Sequence, residues 1–249
     1  MRRTSVFSLL VLAAAVLVVG VASGERIRAT DERATVLAAA SLADVLPKID
    51  PSARASFGGS NQLAQQVRQG YPFDVFLSAS PVYTRALASE GLVRRPVPFA
   101  TNTLVLIVPR GNPARVASVA DLARRPNLRL VVAGPKVPIG LYTREVLKRL
   151  ALLRVLRKTV SLEPDVKGIV AKVALGEADA GFVYATDVRP VAGKVRVIAI
   201  PDRAQPSVVY EAAIATSPSN LAAAQSFVIE LLGSDGRKAL RAAGFGLPR

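Results

Sequence analysis

The sequence predicts an α/β protein of two lobes, each a mainly parallel sheet flanked by helices, with two crossover strands between them. From residue 36 to residue 90 short apolar runs alternate with helical patterns, the rhythm of a parallel sheet covered on both faces. The rhythm breaks at residues 96–100 and restarts near residue 101 as a second strand–helix series. Two long apolar stretches, residues 102–108 and 208–215, bracket that second series as a pair of crossovers would. At 249 residues the chain is long enough to give two lobes a proper core.

In order, residues 37–40 form the first strand and residues 41–49 a short helix, broken by Pro47 and Pro51. A second strand covers 53–57, and the segment GGSNQLAQQVRQG makes a turn and an amphipathic helix closed by Gly70. The third strand is 74–78, and Pro81 suits the first turn of a helix running to Glu90. The second series reads as a long strand at 102–109, a short helix at 118–124, a strand at 128–133 and a strongly helical run at 142–153. A helix at 166–175 ended by Gly176, strands at 180–184 and 195–200, and the long strand at 208–215 follow. Helices at 220–232 and 235–243 return to the first lobe. The expected organisation is therefore lobe I at 34–100 plus 217–249 and lobe II at 101–216, with crossovers near 101–109 and 207–216.

Four turns share one design. Ser41 opens a helical segment after the first strand, Phe57-Gly58-Gly59-Ser60 precedes the second helix, Val137-Pro138-Ile139-Gly140 another, and Pro164-Asp165-Val166 a fourth. The Ser41 hydroxyl either caps its helix, the commoner role of such a serine, or joins free backbone N–H groups in donating to an anion. If all four helix N-termini meet, each brings roughly half a positive charge, together about two, enough to balance a dianion.

The chain has no cysteine and no histidine, which removes disulfides, thiol nucleophiles, the common zinc sites and any Ser-His-Asp triad. There is no G-x-x-x-x-G-K-[ST], and no G-x-G-x-x-G follows a strand, so a nucleotide site is not expected. Asp44, Asp165, Asp179 and Asp187 do not pair at a spacing that suggests acid–base chemistry. Asp165 most simply caps the helix it precedes, and Asp44 completes a capping box with Ser41. Nothing here supports an enzyme. Tyr184 ends an apolar strand, where its phenol either packs as an ordinary interior tyrosine or points a hydroxyl into a cleft; the end of a parallel strand favours the second role.

Residues 1–24, with Arg2 and Arg3 ahead of an apolar run at 6–22 and a small-residue end, read as a secretory signal. An uncleaved anchor is the alternative, since the run approaches the length of a membrane span. Lacking cysteine, the chain has no site for a lipid-modified N-terminus. Removing two arginines and no acid lowers the formal charge from +15 to +13. The arginines are scattered, doubled only at Arg94-Arg95 and Arg124-Arg125, and aromatic residues for base stacking are few, so nucleic acid is the weakest partner expected. The charge reads as a solvated surface, or as a means of raising the encounter rate with anions.

In order along the chain, AAASLADVL, FGGSNQLAQQV, DVFLSAS, FATNTLVLIVP, VPIGLYTREVL, PDVKGIVAKV and AGFVYATDV resemble the periplasmic molybdate-binding proteins of ABC-type importers, from about Thr35 to the C-terminus. The resemblance implies a two-lobed type II periplasmic binding protein fold that closes on molybdate or tungstate. It also implies a monomer outside the cytoplasm that hands its ligand to a membrane permease and its ATPase, with no cofactor and with molybdenum present only as the oxyanion. The family's binding positions fall on Ser41, Ser60, Ile139, Val166 and Tyr184. Ser41 and Ser60 would donate through hydroxyl and N–H, Ile139 and Val166 through N–H, and Tyr184 through its hydroxyl. Two features depart from the family pattern: Ile139 is larger than the alanine usual in that turn, and residues 41–57 are several residues shorter than the family's segment. Receptors for sulfate, another oxyanion or a small organic anion are the alternatives, and a ligand-sensing regulator is a third reading, although no helix-turn-helix is present.

Overall fold

A computed structural model describes residues 33–248; the expected export signal at 1–24 lies outside them. The first sheet contains β1 (Thr35–Ala39), β2 (Arg54–Gly58), β3 (Val75–Ser78), β4 (Val97–Asn102) and β10 (Val208–Ile214) in the order β2-β1-β3-β10-β4. The second contains β5 (Leu104–Pro109), β6 (Leu130–Ala133), β7 (Thr159–Glu163), β8 (Ala180–Tyr184) and β9 (Val195–Ala199) in the order β7-β6-β8-β5-β9. In each sheet three strands run parallel, and a long strand from the crossover region pairs antiparallel to the third. This is the predicted two-lobed α/β architecture.

The helices are α1 (Leu46–Ile49), α2 (Ser60–Arg68), α3 (Pro81–Ser89), α4 (Asp121–Arg124), α5 (Pro138–Arg149), α6 (Val166–Ala174), α7 (Leu221–Leu232) and α8 (Ser234–Ala243). Amphipathic α2 and α3 bury Leu63, Val67 and Leu87 with Leu37 and Phe76 on one face of the first sheet. The main core runs continuously from β1 and β3 into the second sheet. As expected, the C-terminal helices return to the first lobe: α7 packs on β10, α8 on α1, and Gly246 bridges to Thr101.

Several expectations need correction. The strand expected at 102–109 is present as β5 of the second sheet but begins at Leu104; Asn102 instead ends β4, a strand of the first sheet that was not anticipated, and Thr103 passes the chain between them. The crossover and lobe II boundary expected at 207–216 also shift: β10 lies wholly in the first sheet, opposite Phe76 and Leu77 on one side and Ala100 and Thr101 on the other. Its buried residues on both faces fit a central strand, so the chain has already returned before Val208. In place of one helix at 41–49 there is a 3-10 turn at Ala40–Leu42 and the single-turn α1. Pro47 is tolerated at the start of α1 but would remove an internal hydrogen bond from a helix begun at Ser41. Strand β7 was not anticipated, because its alternation is inverted: Val160 and Leu162 face solvent, while Ser161 and Glu163 turn inward.

Candidate functional site

Each of the four turns leaves the C-terminal end of a parallel strand, where open α/β sheets present their ligand crevice. The turns meet. Ser41, Ser60, Ile139, Val166 and Tyr184 border one cavity between the lobes, together with Gly59, Ala79, Val137 and Asp165. It is small, admitting the centre of a water-sized sphere over about 20 Å³, little more than the roughly 10–15 Å³ that one water needs. Such a space suits a small inorganic ion and is too small for a sugar or an amino acid. A larger groove of about 580 Å³ runs along edge strand β9 on the second lobe, but no buried unpaired side-chain donor among the described residues borders it.

The sequence explains how each turn presents donors. Gly59, the N-cap of α2, offers no side-chain oxygen, so the first N–H groups of that helix keep no internal partner. Ser60 is buried, and its Oγ accepts from the Ala79 N–H at 3.1 Å, leaving its own proton for the cavity. At α5 the N-cap is Val137 and Pro138 has no N–H, so the first available donor belongs to Ile139. Gly140 is required there, because a Cβ would stand 2.1 Å from the Gly134 carbonyl oxygen. At α6 the Asp165 carboxylate caps as predicted, accepting from the Lys167 and Gly168 N–H groups at 2.8 and 3.2 Å, which leaves Val166 N–H uncapped.

Ser41 departs from the expected pattern. It sits in the 3-10 turn, so three α-helix N-termini meet the cavity rather than four, supplying about one and a half positive charges. The Ser41–Asp44 capping box is not formed. Ser41 Oγ lies 2.9 Å from the Tyr210 hydroxyl, and Asp44 instead pairs across the lobes with Lys167. Tyr210 is a site neighbour that sequence reasoning missed; its one signal was a phenol inside a mainly apolar strand, a hydroxyl that must find a partner.

Tyr184 carries the clearest mark of a missing ligand. Its ring packs edge-to-face against Tyr142 and Tyr210, at centroid distances of 6.5 and 5.9 Å, yet its buried hydroxyl has no hydrogen-bond partner. An orphaned buried hydroxyl costs about 1–3 kcal/mol. Burial holds the phenol well above its ordinary pKa, so it remains a donor at neutral pH. From the second lobe Tyr142 donates to the Ala79 carbonyl at 3.3 Å, closing the cavity wall.

Lys167 Nζ lies 2.5 Å from Asp44 and 3.2 Å from Asp187. Asp187 is fully buried, and burial pushes its carboxyl up to about 6 despite the neighbouring ammonium. Among the described residues no group of three His, Cys, Asp or Glu side chains could hold a metal ion. The cavity is instead lined by neutral N–H and O–H donors, a donor set for an anion, and the one carboxylate at its border, Asp165, is engaged by the Lys167 and Gly168 N–H groups.

Known proteins share this organisation. Molybdate-binding protein ModA of Mycobacterium tuberculosis is 37% identical over 223 residues, covering 86% of this chain and 84% of that protein. ModA of Haemophilus influenzae is 31% identical over 233 residues, covering 87% and 91%. The structure of the Azotobacter vinelandii periplasmic molybdate-binding protein superposes with a TM-score of 0.77 at 25% identity, over 87% of this chain and all of that one. Residues 34–246 match the family model described as bacterial extracellular solute-binding protein, and with nearly every described residue inside that match, the chain belongs to the bacterial extracellular solute-binding proteins.

Proposed function

We propose that this protein captures molybdate outside the cytoplasm and delivers it to the permease and ATPase of an ABC importer. The observation that carries the reading is the convergence of uncapped helix N-termini and an orphaned tyrosine hydroxyl on one ion-sized cavity. Ser41, Ser60 and Tyr184 donate hydroxyl protons, and Ile139 and Val166 donate backbone N–H groups. The relatives named as molybdate-binding proteins support the choice of anion. The chain works as a monomeric receptor, exported by residues 1–24, and needs no cofactor beyond its ligand.

Energetically the donor set suffices. Each charge-assisted hydrogen bond contributes about 1.5–3 kcal/mol, so five reach the ~8–12 kcal/mol of micromolar to nanomolar binding after ordering costs. Neutral donors offer no acceptor for a ligand proton, which disfavours phosphate at neutral pH. Sulfate is fully ionised but smaller, and it would leave every bond long and weak. Because the donors at Ile139 and Val166 are main-chain groups, the bulk of the Ile139 side chain does not remove the bond. Isothermal titration of the mature chain with molybdate, tungstate and sulfate tests the proposal. One-to-one binding of molybdate and tungstate without a sulfate response is expected, and no response to molybdate would refute it.

A further inference from the structure

The hydroxyl chain behind Ser41 has a direction, and it decides whether Ser41 can donate to an anion at all. Tyr210 is buried in the middle of β10, its ring held edge-to-face by Phe99, Tyr184 and Phe245 at centroid distances of 6.0, 5.9 and 5.5 Å. Its oxygen has two polar neighbours: Ser41 Oγ at 2.9 Å and Asn102 Nδ2 at 3.4 Å. The orientation of the Asn102 amide is fixed independently. Its Oδ1 accepts from the Thr103 N–H at 2.9 Å, and its Nδ2 donates to Thr186 Oγ1, also at 2.9 Å. The nitrogen therefore faces Tyr210, and an amide nitrogen only donates.

We infer that Tyr210 is a positioning residue that accepts from Asn102 and donates to Ser41 Oγ, leaving the Ser41 proton to point into the anion cavity. The reverse direction fails on chemistry. If Ser41 donated to Tyr210, the phenol oxygen would hold two incoming donors while its own proton faced aromatic rings with no acceptor. Burial keeps that proton on the phenol, holding its pKa well above the ordinary value. The chain also spans the lobes, since Asn102 ends β4 in the first sheet and Thr186 follows β8 of the second. The direction of the Ser41 donor is thus set by residues at the crossover, none of which borders the cavity. This inference rests on the anion-binding reading above and deepens it at one donor.

The test is a double-mutant cycle read by titration with molybdate, on the wild type, Tyr210→Phe, Ser41→Ala and the pair. Tyr210→Phe keeps the ring contacts and loses only the hydroxyl. An affinity loss of about tenfold for Tyr210→Phe is expected, and the double variant should bind no more weakly than Ser41→Ala alone. A merely structural role would instead multiply the two losses. Asn102→Ala, which frees Tyr210 to accept from Ser41, should give a smaller loss that likewise vanishes in the Ser41→Ala background, and it serves if Tyr210→Phe fails to fold. Wild-type affinity in Tyr210→Phe, or losses that multiply, would overturn the inference while leaving the receptor reading in place. A wild-type chain that does not bind molybdate overturns both.

Discussion

Lys167, one residue past the Val166 donor, sets its ammonium 2.5 Å from the carboxylate of Asp44 in the opposite lobe. The pair spans the cleft beside the cavity and forms only when the lobes are together. Both side chains are partly exposed, so the contribution is about 0.2–1 kcal/mol. Asp44→Asn removes the interlobe contact and leaves Lys167 paired with Asp187. Molybdate affinity should fall at most about fivefold, through faster dissociation, with the melting temperature nearly unchanged. Stopped-flow dissociation at low and high salt checks this; a rate insensitive to the substitution would rule the pair out as a latch.

Asp187 gives the fold a pH dependence of definite sign. Its carboxyl titrates near 6 when folded against 3.8 as the ordinary value, so between those limits the folded chain holds a proton that the unfolded chain has released. Stability from this site is therefore present in acid and lost as pH rises through that window. A separation of about two pH units corresponds to about 3 kcal/mol. The melting temperature of the wild type should rise relative to that of Asp187→Asn as pH falls from 7 to 5. A difference that stays flat across the range would show that Asp187 is not buried as an ion at neutral pH.

The contrast between Ser41 and Val166 shows what was legible in the sequence. All five expected residues border one cavity: Ser41, Ser60 and Ile139 follow strands whose apolar runs were local signals and Tyr184 ends another, while Val166 was legible from its Pro-Asp turn and helical pattern alone. The Asp165 cap was readable for the same reason, since donor and acceptor lie within three residues. What escaped was long-range. Ser41 looked like the start of a capping box, yet its partner is Tyr210, 169 residues away. Asp44 and Asp187 gave no sign of sharing Lys167, and the inverted alternation of β7 hid a strand. The stretch at 102–109 was legible as the strand β5, but β4, whose apolar residues are interrupted by Pro98, Thr101 and Asn102, was not, and only pairing reveals that Thr103 passes the chain between sheets.

Removing single donors should separate binding from stability. Tyr184→Phe deletes a buried hydroxyl that has no partner in the protein, so molybdate affinity should fall between about tenfold and a hundredfold while the ligand-free protein becomes no less stable. Ser60→Ala should weaken binding similarly. It also strands the buried Ala79 N–H that Ser60 Oγ accepts from, costing about 1–3 kcal/mol of stability. Titration paired with thermal melting of the ligand-free variants distinguishes them. Equal affinities to wild type in both would remove these hydroxyls from the site.

Gly59 tests the closed geometry itself. Its backbone, at φ −64° and ψ 130°, is open to any residue, and within the first lobe an added Cβ would crowd only the side-chain oxygen of Asn61, at 2.8 Å, which can swing aside. A Cβ, however, would stand 2.4 Å from the carbonyl oxygen of Pro164 in the second lobe, next to the Asp165–Val166 turn. To regain a contact of about 3.5 Å the two lobes must part by about an ångström. Hydrogen bonds stretched by that amount lose most of their strength, and Val166 N–H lies on the retreating side. Gly59→Ala should therefore bind molybdate at least tenfold more weakly, melt like wild type without ligand, and keep a larger radius of gyration at saturating molybdate in small-angle scattering. Wild-type affinity with wild-type compaction would mean that the donors on the two lobes need not approach this closely to hold the anion.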